Sequence, residues 1–161
     1  MDRENLKAMR TLIPLTALAA LLAAPAAAAP PDYLGAWTIT GAVAAPWAEP
    51  GHPPDARERA RLVGKTVTLS RDAIAGPQPL ACRGPHYALK PYSADMLFEG
   101  QFGEMHDADP RADPLALAHR LGFRGASFRT LETGCEIDWH FAGPHTAMIG
   151  LNDWVFTLKK P

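Results

Sequence analysis

Three ionisable residues, Glu136, Asp138 and His140, stand two apart in the run Cys-Glu-Ile-Asp-Trp-His-Phe, residues 135–141. On a β-strand that spacing puts all three on one face, because successive side chains point to opposite sides. A carboxylate beside an imidazole fixes the ring's tautomer, which suits general acid–base work or metal binding. His145, across a short turn, is expected to approach His140 from the next strand. Asp138, His140 and His145 are therefore a candidate site for zinc or copper. The competing expectation is simpler and is favoured: antiparallel sheets keep one face wet, and ionisable residues occupy it.

Other chemistry is thinner. Glu104, His106, Asp107 and Asp109 crowd residues 103–109, but without the spacing and central glycine of a calcium loop they read as a surface loop. Gly64-Lys65-Thr66 ends like a phosphate-binding loop, yet position 59, where the upstream glycine belongs, is Arg59. Ser70, Ser93 and Ser127 stand in no Gly-x-Ser-x-Gly context, which argues against a serine hydrolase. No cofactor motif is present. Cys82 and Cys135 are the only cysteines, and a disulfide between them is expected if the chain is exported. It would close a long loop, worth on the order of 4 kcal/mol in the chain-entropy model.

The elements that must position these residues are mostly strands. Residues 33–43, 62–70 and 126–132 alternate apolar with small or polar side chains, and residues 135–141, 145–151 and 154 onward continue as strands between tight turns. The last four form an antiparallel meander. Residues 44–54 hold four prolines and a glycine and can only be a loop, after which Asp55 caps a short helix. The clearest helix has Asp113 as its cap, Pro114 in its first turn and Gly122 at its end. Residues 92–102 are ambiguous between strand and one helical turn. The fold class expected is mostly β: a small antiparallel barrel or sandwich with a C-terminal four-strand meander and one packed α-helix.

At the amino terminus Arg10 precedes an apolar run over residues 12–24 and a small-residue stretch with Ala-x-Ala sites. That pattern predicts a secretory signal peptide over residues 1–28, leaving a single exported β-rich domain over residues 29–161 and no membrane span. Asp2 and Glu4 are unusual so early, and Met9 is an alternative start. Removing Arg3, Lys7, Arg10, Asp2 and Glu4 from the 16 basic and 17 acidic residues leaves a small acidic excess without a basic run. Nucleic acid and anionic membrane are poor partners for such a chain.

Gly35-Ala36-Trp37, on the first strand, resembles the Gly-x-Trp motif of the lipocalins and wider calycins. The resemblance covers about a tenth of the chain. It implies a secreted barrel in which Trp37 is structural, and an activity of binding rather than turnover. A small barrel is filled by side chains or holds one small ligand. Trp47, Tyr87 and Tyr92 are the aromatic candidates to line such a pocket. Three functions are thus expected in descending order. The first is a periplasmic module for a small apolar or amphipathic ligand. The second is an interaction or inhibitor domain, its partner a periplasmic protein, acting through residues 46–54 or 103–109. The third is a metal-binding protein using Asp138, His140 and His145.

Overall fold

A computed structural model of the chain describes residues 30–161; the expected signal peptide lies outside them. The elements run β1 (Gly35–Ala44), α1 (Ala56–Leu62), β2 (Thr66–Leu69), β3 (Ala73–Ala75), β4 (Cys82–Arg83) and β5 (Ala88–Tyr92). A 3-10 turn (Ala94–Met96), α2 (Gln101–Ala108) and α3 (Pro114–Leu121) follow, and then β6 (Phe128–Glu132), β7 (Trp139–Gly143), β8 (Thr146–Leu151) and β9 (Trp154–Lys159). The nine strands form one antiparallel sheet in the order β4-β3-β2-β1-β9-β8-β7-β6-β5, curled into a half-barrel. The mostly β class and the meander β6–β9 are as expected.

Both faces of the sheet are buried. Inside the curl, Trp37, Ile39, Ile149, Phe156 and Leu158 from the middle strands pack with Ile74 and Leu80 from one end and Leu131 and Trp139 from the other. Only a curled sheet brings those two ends together. Register shifts between Ile39 and Gly41 and between Phe141 and Gly143 supply part of the bend, since a bulge adds local twist. The Cys82–Cys135 disulfide spans the remaining seam and joins edge strand β4 to the β6–β7 connection. It is the expected pairing, and it fits an oxidising compartment. Trp37 is 0% exposed, with its ring edge-on to Trp139 at 5.7 Å.

The helices close what the curl leaves open. Leu62 of α1 reaches the inner core, while Trp154 Nε1 donates to Asp55 O at 3.0 Å and Asn152 Nδ2 to Glu58 Oε1 at 2.7 Å, so α1 stoppers one end. The 3-10 turn, α2 and α3 cover the outer face, where Phe98, Phe102, Leu117 and Phe123 meet Phe128 and Val155 of the sheet. In α3, Asp113 accepts from Leu115 N at 2.9 Å and Gly122 ends the helix in the left-handed region at φ 103°, as its sequence predicts.

Two sequence expectations are corrected. Residues 103–109 are not a loop: most of them form α2, in which Phe102 is the buried side chain and Met105 packs partly buried beside it. Residues 135–141 are not one strand either. β7 begins only at Trp139, and residues 135–138 bend, tied by Thr133 Oγ1 donating to Ile137 O at 2.9 Å and accepting from Cys135 N at 3.1 Å. Among the described residues no helix is long and apolar enough to cross a membrane.

Candidate functional site

His140 is 0% exposed, so the wet face expected of residues 136, 138 and 140 does not extend to it. The alternation does hold locally: Trp139 and Phe141 enter the inner core, and His140 points the other way, under the helices. There Nε2 accepts from Phe98 N at 3.0 Å, and Nδ1 lies 2.9 Å from Thr130 Oγ1. An Nε2 that accepts leaves the proton on Nδ1, which donates to Thr130. The ring is neutral, and burial pushes its pKa down to about 3.

That geometry takes His140 out of any metal centre, because both ring nitrogens are committed. Register confirms the separation: Met148, not His145, pairs with His140, and His145 sits exposed in the β7–β8 turn. Asp138 is half-buried and accepts from Thr133 N at 3.3 Å; burial raises its pKa. No group of three metal-ligating side chains gathers among the described residues. The structure does not bring Asp138, His140 and His145 together, and the strand face expected to be wet is, at His140, part of a second core.

What His140 does hold is a strained turn. Phe98 and Glu99 have φ of 54° and 56°, and Gly100 follows at 85°. Two consecutive non-glycine residues in the left-handed region cost energy that surrounding contacts must offset, and such outliers cluster at functional sites. The offset is visible. Phe98 donates its N–H to His140, its carbonyl accepts from Gln101 N at 3.1 Å, and its ring packs against Trp47, Phe102 and Phe123. The turn thereby aims Glu99 at a cavity.

This cavity, of about 550 Å³, lies at the end of the seam. Its walls include Trp47, Glu99, Glu136, Ile137, Leu151 and Asp153. A second hollow of about 330 Å³ adjoins it through the shared Pro79, Glu136 and Ile137, and runs along the disulfide between Leu80 and Trp139. Together they make a groove where the two ends of the sheet approach. Trp47 is fixed in the wall by Nε1 donating to Asn152 O at 2.8 Å. A Cβ at Gly150 would stand 3.2 Å from Phe98 and 3.3 Å from Trp47, so a larger residue there would require the two rings to give by a few tenths of an ångström.

Glu99 Oε1 accepts from Asp138 N at 3.1 Å, but dehydration by the surrounding wall outweighs that bond and pushes the carboxyl up to about 7. The side chain remains open on the cavity side, and screening there holds the corresponding energy to roughly 1 kcal/mol. Folded Glu99 therefore keeps a proton that the unfolded chain, at its ordinary 4.5, has lost. Its stabilising contribution is complete below 4.5 and disappears as pH rises through about 7. Glu99→Gln, which keeps an acceptor for Asp138 N, should thus match wild type near pH 4 and exceed it by roughly 1 kcal/mol at pH 8. Urea melts of both proteins at the two pH values check this; an equal difference at both would show that Glu99 titrates normally.

The aromatic candidates are scattered rather than gathered. Trp47 lines the groove. Tyr87 packs against Tyr33 with ring centres 5.3 Å apart and donates to Ser70 O at 3.0 Å, beside a separate open hollow of about 550 Å³. Tyr92 donates to Glu132 Oε1 at 2.8 Å and lies 6.1 Å from the His140 ring. Glu99 was missed by sequence reasoning. The single local signal was Gly100 interrupting the apolar run Met96-Leu97-Phe98, because the turn itself is set by contacts from β7 and from residue 47. No protein-family model, curated protein or solved structure matches the chain.

Proposed function

We propose that the chain is an exported binding protein that takes one small amphipathic ligand in the seam groove. The observation that carries this is the groove itself: an open cavity of about 550 Å³ lined both by Trp47, Ile137 and Leu151 and by polar groups. Cavities of this size and mixed lining are where small molecules bind. A wholly apolar ligand inside the curl is disfavoured, since Trp37, Phe156 and their neighbours fill it. The lipocalin resemblance of Gly35-Ala36-Trp37 and the disulfide support an exported binder, and the periplasm is the compartment proposed. Residues 46–54 enter this reading through Trp47, as a wall of the groove rather than as an inhibitory loop.

Native mass spectrometry on protein recovered from the periplasm, compared with the same sample denatured, tests this directly. The wild type should carry an extra mass of a few hundred daltons. Glu136→Trp, an exposed position shared by both hollows, should fold normally by circular dichroism and arrive bare. A bare wild type, or the same adduct on both proteins, would sink the proposal.

A further inference from the structure

The groove's walls also specify charge, and we infer that its ligand is an organic cation, with an ammonium or guanidinium end and an apolar body. This rests on the binding role just proposed and names the chemistry of the same site. The cavity is lined by Glu99, Glu136 and Asp153 and by no lysine, arginine or histidine. These carboxylates arrive from three separate stretches, the turn before α2, the β6–β7 connection and the β8–β9 turn. Among the described residues none of them forms an ion pair, although elsewhere Asp32, Glu58, Asp109 and Glu132 all do. All three residues are exposed around the open cavity, and a cleft lined by one sign of charge concentrates the opposite charge.

The remaining lining explains why the cation is organic. Among the described residues no set of three ligating groups closes on a point where a metal ion could sit. Instead the carboxylates stand around a hollow whose other walls are Trp47, Ile137 and Leu151. Trp47 is held by its bond to Asn152 and by packing on Phe98 at 5.2 Å, so its indole is available at no further ordering cost. An indole face and a carboxylate together favour a weakly hydrated cation on an apolar stem. At pH 8, where Glu99 is ionised, an anionic ligand would meet three like charges.

Isothermal titration of the full mature chain with three probes of similar shape tests the inference: 2-phenylethylamine, 2-phenylethanol and 3-phenylpropionate at pH 8. The amine should bind about tenfold or more tightly than the alcohol, and the carboxylate not at all. Glu99→Gln should cut amine affinity by about the same factor and leave the alcohol unchanged. Equal binding of amine and alcohol, or an amine response indifferent to Glu99→Gln, would overturn the cationic ligand while leaving a binding groove in place. No heat from any probe at millimolar concentration would overturn the groove and the cation together.

Discussion

His140→Ala should destabilise the protein by roughly 3–5 kcal/mol, a large effect for a residue whose sequence context reads as solvent face. Two costs combine. Phe98 N–H loses its acceptor and Thr130 Oγ1 its partner, and each unpaired buried group costs about 1–3 kcal/mol. Removing the ring also leaves a hollow beneath Phe98, whose ring centre lies 4.9 Å from that of His140. Chemical denaturation measures the loss. A change below about 1 kcal/mol would mean that the imidazole is solvated and the helical cover absent. His140→Gln is the sharper companion, because an amide oxygen can still accept from Phe98 N–H and should recover part of the loss. Wild-type stability should fall as pH drops below 6.5, because the unfolded chain protonates this imidazole there while the folded ring stays neutral down to about pH 3.

Removing the disulfide should cost about as much by a different route. Cys82 and Cys135 are 53 residues apart, and opening a loop of that size returns entropy to the unfolded chain worth about 4 kcal/mol. For a domain of this size that corresponds to a fall in Tm of roughly 15 °C. Cys82→Ser with Cys135→Ser, and wild type in excess reductant, should show the same shift by calorimetry. A shift under about 3 °C would mean that the inner core alone holds the seam. Trp139 fluorescence adds a local reading, because this residue is 2% exposed and lines the hollow beside the bond.

The contrast between these residues shows what the sequence carries. The disulfide, the meander and α3 were legible because each rests on a local or countable signal: two cysteines, strict alternation, a cap with a proline and a glycine. β7 was legible in period but not in environment. Alternation says that Trp139 and His140 face opposite ways; it does not say whether the second face meets water or a helix. The cover comes from Phe98, Phe102 and Phe123, which form no sustained helix or strand period because they belong to a turn, a short helix and a connection. α2 was unreadable for a related reason, since one buried phenylalanine gives no period. Glu99 depends on a backbone conformation imposed by His140 from forty residues away in the chain, and no window along the sequence contains both.

The left-handed pair at Phe98 and Glu99 also says how this protein would respond to selection. Glycine at position 99 would relieve the backbone and remove a dehydrated carboxyl in one step, at the loss of the bond from Asp138 N to Glu99 but leaving the His140–Phe98 bond untouched. A library screened for heat resistance alone should therefore drift towards glycine there and empty the groove of its most perturbed acid. Screening the same library for heat resistance and ligand retention together should hold glutamate in place, with the improvements appearing elsewhere in the chain.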